Sequence, residues 1–199
     1  MVDKLETHVT SKATFKYPHL TKPDVKFNPD GEYKVTLVFK NGEGKDFVNK
    51  IEDEYKKSVE LAKSNNQGKT IKSAAPPYKV NEAGEVEATF KLKAVGKSSK
   101  TGNTWSQKPA IFDASGKPAE IKEIIYGGSE GKVSYNIVPW YTAMLGASVS
   151  LRLKGVQILK LVTGGGGNGE SYGFAKEDGY EHVATTEQEE EVSTPPSDF

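Results

Sequence analysis

Between Lys91 and Lys108 the chain sets five lysines, Lys91, Lys93, Lys97, Lys100 and Lys108, around one tryptophan, Trp105, with no acid in the window. An ammonium group is a point charge suited to a phosphate, and an indole offers a face to a base. A single strand of nucleic acid needs both, and each base–aromatic stack contributes roughly 1–3 kcal/mol. The structural alternative is a lysine-rich strand edge that discourages aggregation. Trp140 and Tyr141 follow Pro139 directly, at a strand end where a regular pleat cannot take both rings inward, so at least one is expected in solvent and able to stack on a base. Arg152 and Lys154 share a strand face by alternation, and Lys132 adds a further cation ahead of Val133.

Enzymatic readings find little support. The run from Gly127 to Val133 looks like a phosphate-binding loop, but that pattern needs glycine at position 126 and Ser or Thr after Lys132, where Tyr126 and Val133 stand. Gly164 to Gly167 precede no helix whose dipole could hold an anion. The chain has no cysteine, and its three histidines, His8, His19 and His182, are scattered. No cofactor or metal is expected, and a nuclease is a remote third reading. The absence of cysteine fits a reducing cytoplasm. With no apolar run of spanning length and no leader pattern, no membrane association is expected.

The formal net charge of zero conceals two poles. Residues 168–199 hold nine acids against one base, a net of −8, while the rest holds 26 bases against 18 acids, a net of +8. The acids include the cluster Glu187, Glu189, Glu190 and Glu191, and the chain ends on Asp198 and the aromatic Phe199. A segment so acidic and so poor in aliphatic residues does not pack a core, and the glycines before it form a flexible hinge. The expected organisation is a folded body over 1–163 and a hinge with a disordered acidic tail over 164–199.

The elements that position these residues can be read from periodicity. Ala13, Phe15 and Tyr17 alternate in a first strand interrupted by Pro18. Tyr33, Val35, Leu37 and Phe39 mark a second. Phe47, Val48, Ile51, Tyr55, Val59 and Ala62 recur at three- and four-residue steps, a helix over about 45–64. Val86 to Ala94 alternates again, with Lys91 and Lys93 facing outward. A polar hairpin tip follows, and residues 105–112 return as a strand before the turn at Asp113 to Pro118. Val133, Tyr135 and Ile137 form a strand ending at Pro139. The last strand spans 147–161, and its phase slips by one residue at Gly155, the mark of a β-bulge. Five or six strands with one inserted helix predict a mainly β, OB-fold-like antiparallel barrel, with a sandwich as the alternative.

The run from Lys132 to Tyr141, followed by Leu145 to Leu159, resembles the single-stranded DNA-binding proteins of tailed bacteriophages. Phe90 to Lys93, the turn from Asp113 to Lys117, the paired Gly127 and Gly128, the glycine-rich exit and the terminal Asp198-Phe199 occur in the same order, covering the chain from about Tyr33 to its end. The resemblance implies an OB-fold and a role coating single-stranded DNA in phage replication, recombination and repair, in the cytoplasm of the bacterial host. It implies that the acidic tail occupies the DNA groove of the free protein and contacts a polymerase, helicase or primase. It points to Trp140, Lys91 and Lys93 as DNA-binding residues and leaves room for a homodimer. Here the spacer between Pro139 and Gly146 is slightly shorter than in the short-tailed-phage form, and the tail is less acidic. The competing reading is a phage structural or assembly protein whose basic face binds another protein.

Overall fold

The computed structural model describes residues 5–40, 42–98 and 101–163. Lys100 and the tail residues Glu187, Glu189, Glu190, Glu191, Asp198 and Phe199, with the expected hinge and disordered tail, lie outside them. The described chain is mainly β, with one helix. Its elements are β1 (Thr7–Val9), β2 (Ala13–Asp24), β3 (Glu32–Phe39), α1 (Lys45–Asn65), β4 (Tyr78–Val80), β5 (Val86–Lys93), β6 (Val95–Lys97), β7 (Thr104–Ser106), β8 (Ala110–Phe112), β9 (Glu130–Thr142) and β10 (Gly146–Lys160).

Five strands close a ring in the order β9-β2-β3-β5-β10, with β10 pairing back onto β9. Counted along the chain the ring runs 1-2-3-5-4-1, an OB-fold-like arrangement in which the helix is inserted after the second ring strand. One seam departs from the all-antiparallel expectation, because β10 pairs parallel with β5 through Arg152 and Lys91. Neighbouring β8 also joins β10 in parallel. Alternation within a strand fixes which face is buried but carries no information on partner direction.

The inward residues are those the alternation selects. Phe15, Val35, Leu37, Phe39, Phe90, Val133, Tyr135, Leu151 and Leu153 are buried in one core. Helix α1 covers it with Phe47 and Ile51: Phe47 stacks on Phe39 at 5.1 Å, and Phe90 meets Tyr135 edge-on at 5.0 Å. Such pairs add about 0.5–1.5 kcal/mol each beyond area burial. Farther along the helix, Val59 and Ala62 pack with Ala147.

Two local departures from the sequence reading share one cause, pairing that overrides a breaker. Pro18 does not interrupt the first strand. β2 runs through it, with Tyr17 and Pro18 opposing only Val35 between the pairs Lys16–Thr36 and His19–Lys34. This bulge turns Tyr17 outward at φ +49° and returns Leu20 to the core. Likewise β9 continues past Pro139, which pairs with Val149. Beyond Asn136 neither β1 nor β2 borders β9, so Pro139 sits on an edge where its missing N–H costs no ladder bond. The expected strand over 105–112 is two short pieces, β7 and β8. The slip at Gly155 is a bulge as expected, the ladder passing from Leu153 to Gly155 and leaving Lys154 unpaired. Leu161 lies past the last strand and is exposed.

Candidate nucleic-acid interface

A groove of about 1100 Å³ opens on the outer face of β3, β5 and β10, walled at one end by the β6–β7 hairpin. The register explains its floor. Glu32, Lys34 and Thr36 of β3 stand opposite Lys93, Lys91 and Thr89 of β5, and the parallel seam places Arg152 beside Lys91. Residues directly opposite in a ladder share a face, so the seam brings Arg152 to the lysines of β5. Thr36 and Thr89 hydroxyls bond each other at 2.8 Å, tying the floor together.

Trp105 stands on the hairpin directly opposite Gly96. A Cβ at Gly96 would lie 2.4 Å from Trp105 Cε2, so only glycine lets the indole lie across β6. Trp105 Nε1 donates to Gln107 Oε1 at 3.3 Å, and Gln107 Nε2 donates to the Lys93 carbonyl at 2.8 Å. The indole is thus held through its Nε1 edge, and the residue is 50% exposed.

The groove's charge is less uniformly positive than its lysines suggest. Lys91 Nζ lies 3.1 Å from Glu32, Lys34 pairs with Asp24, and Glu87 holds both Lys16 at 3.0 Å and Lys79 at 3.2 Å. The Lys34 bond, aided by the Lys26 backbone N–H, holds the Asp24 carboxyl down at about 2. The hydrogen bond from Lys16 lowers Glu87, and the same bond raises Lys16. Lys93, Lys97 and Arg152 are exposed and make no ion pair among the described residues.

Of the residues selected from the sequence, Lys91, Lys93, Lys97, Trp105 and Arg152 meet at this groove. The window from Lys91 to Lys108 is not one hairpin, however: Lys91 and Lys93 belong to the ring, Lys97 and Trp105 to the small hairpin sheet, and exposed Lys108 follows it outside the groove. Lys132 pairs with Gln157, away from the groove. Lys154, separated from Arg152 by the bulge, donates to Thr7 Oγ1 at 2.9 Å. Both aromatics after Pro139 are half-buried, where at least one was expected to be exposed. Tyr141 packs toward Val59, Ala62 and Ala147 under α1. Trp140 stands opposite Ser148 on the face that carries Val138, Ser150 and Arg152, just beyond the groove.

Sequence reasoning missed Lys79, Gly96, Gln107 and the three acids that hold lysines. Gly96 was the recoverable one, since a lone glycine inside a short strand marks a close approach.

The comparisons with known proteins decide the family. The model of the family described as single-stranded DNA-binding protein, bacteriophage T7, matches residues 12–161. The chain belongs to this family of phage single-stranded DNA-binding proteins. Within the family it is 34% identical to the single-stranded DNA-binding protein of Enterobacteria phage T3, covering 82% of this chain and 79% of that protein. The identity to that of Escherichia phage T7 is 33% over the same shares. The crystal structure of the T7 family member, gp2.5, superposes with a TM-score of 0.71 at 29% identity, covering 90% of this chain and all of that one. The single-stranded DNA-binding protein of bacteriophage Enc34, solved in complex with ssDNA, shares the fold with a TM-score of 0.53 at 20% identity, over 77% of this chain and 86% of that one.

Proposed function

We propose that this protein binds single-stranded DNA without catalysing a reaction, holding the strand across β3, β5 and β10. The observation that carries the reading is the half-exposed indole of Trp105 at one end of a groove in which Lys93, Lys97 and Arg152 have no ion-pair partner among the described residues. Trp105 stacks a base, the cations meet phosphates, and Lys91 joins them when it leaves Glu32. Trp140, on the continuation of the same face, is the second stacking candidate, while Tyr141 is engaged under the helix. Lys100, Lys108, Lys132 and Lys154 contribute to the surrounding positive field.

The acidic C-terminal segment supplies the other half of the mechanism. Its net charge of −8 answers the +8 of the remainder, and covalent linkage to the body gives it a roughly millimolar effective concentration for competition at the groove. Glu187, Glu189, Glu190 and Glu191 oppose the groove cations, and Asp198 and Phe199 contact the replication machinery, a polymerase, helicase or primase. The working setting is phage DNA replication and recombination in the host cytoplasm.

Titrating a fluorescent oligothymidylate at several salt concentrations tests this. Saturable binding with tryptophan quenching is expected, weakening linearly in log salt. Lys93→Ala should flatten the slope by about 0.7, the value for one lost phosphate contact on a single strand. Deleting 168–199 should tighten binding at low salt, and removing Phe199 should weaken capture of a replication enzyme while leaving DNA affinity unchanged. Binding without salt dependence, or none, overturns the reading.

A further inference from the structure

We infer that Tyr17 is a further base-stacking platform, carrying the DNA track across β3 to the outer edge of β2; this rests on the single-strand reading above. Tyr17 is the one described non-glycine residue with positive φ, at +49°. An L-residue pays to adopt this region, and a bulky aromatic gains nothing locally from doing so. The fold does not repay that strain through the ring, which is 71% exposed and whose hydroxyl has no hydrogen-bond partner among the described residues. Strain held at a ring this exposed, with only the Lys16 ammonium set beside it among the described aromatic contacts, points to a site used for something else.

The position of the ring says what that use is. The bulge at Tyr17-Pro18 turns the side chain out of the core on a strand whose Lys16 pairs with Thr36 in the groove floor. Lys16 Nζ lies 5.5 Å from the Tyr17 ring centroid and 3.0 Å from Glu87, which lines the groove. An aromatic face and an ammonium therefore stand side by side at the groove's margin, the pairing that a base and its phosphate require. Trp105 lies off the end of β5, so a strand reaching both rings crosses β5 and β3. Lys16, once exchanged from Glu87, meets the phosphate next to the base on Tyr17.

The strain makes the test clean. Tyr17→Gly removes the ring and relieves the backbone together, so the variant should melt at the same temperature as the parent protein or higher. Its affinity for oligothymidylate should fall about fivefold or more, the low end for one lost stack, with tryptophan quenching at saturation retained. Tyr17→Phe keeps the ring face and should bind as the parent does. If Tyr17→Gly binds like a parent protein that itself binds and quenches normally, the inference is overturned and the groove reading stands. It is equally overturned if Tyr17→Phe loses as much as Tyr17→Gly. A parent protein that fails to bind the oligonucleotide defeats the groove reading and this inference with it.

Discussion

Glu32→Gln should make this protein bind single-stranded DNA more tightly. Glu32 stands opposite Lys93 and reaches Lys91 at 3.1 Å, so one carboxylate shadows two groove lysines. Its side chain is 28% exposed and that of Lys91 56%, an exposure at which an ion pair contributes about 0–1 kcal/mol to folding. The variant should therefore melt within a few degrees of the parent. The effect on DNA is larger, because the carboxylate repels the phosphate that Lys93 attracts. Two unit charges about 6 Å apart interact by about 0.7 kcal/mol at the permittivity of water and by about 3 kcal/mol at the lower effective value of a protein surface. An intermediate value tightens binding about fivefold to tenfold at low salt. Freed Lys91 also gains a phosphate, which steepens the log–log salt slope by about 0.7, so the gain shrinks as salt rises. Fluorescence anisotropy with labelled oligothymidylate from about 20 to 300 mM salt reads both quantities. Glu82→Gln, in the exposed turn before β5, is the charge-matched control and should change neither. Combining Glu32→Gln with Lys91→Ala should return the slope to that of the parent. If Glu32→Gln weakens binding, or if Glu82→Gln tightens it equally, the phosphate path does not run past Glu32.

Gly96→Ala drives a methyl group into the Trp105 indole, so the ring must lift; DNA affinity should fall about as far as in Trp105→Ala, readable by anisotropy together with a shift in tryptophan emission. Gly131→Ala drives a Cβ into the Gln157 carbonyl and to 2.8 Å from Phe15 Cζ, and should cost about 1–3 kcal/mol of stability in a urea titration, the range for overpacking a closed core. Acid stability should depend on Asp24. Its folded pKa of about 2 lies below the ordinary aspartate value of 3.8, so the unfolded chain binds more protons between those values; the stabilisation is complete above about pH 4 and is lost as pH falls toward 2. Melting temperatures of Asp24→Asn should accordingly fall less steeply than the parent's across that window.

Three strands of the ring were legible because apolar residues recur on their inward faces: Tyr33 to Phe39, with Val38 the one exception, Val86 to Leu92 and Val149 to Leu153 each favour one register for burying an apolar face. The helix was legible from its period, and the bulge at Lys154-Gly155 from a phase slip that no regular strand allows. What the sequence could not display is which strand lies beside which. The parallel seam that carries Arg152 to Lys91 depends on ring closure, and so does the edge position that lets Pro139 stay in β9. Counting charges along the chain also overstated the groove, since Glu32, Asp24 and Glu87 are distant from their lysines in sequence and meet them only across the ladder. Trp105 could be suspected from its lysine-rich setting. Its orientation rests on Gly96 and Gln107, which neither charge nor hydropathy distinguishes.

Photo-cross-linking tests the central claim most directly. Oligothymidylate carrying 5-iododeoxyuridine, irradiated in complex with the full chain and mapped by peptide mass spectrometry, should form its principal adduct at Trp105, with further adducts at Tyr17 and Trp140. Exposed Tyr126, which does not line the groove, should remain unmodified. Adducts confined to Tyr126 or to the outer face of α1, with Trp105 untouched, would place the strand elsewhere and contradict the account.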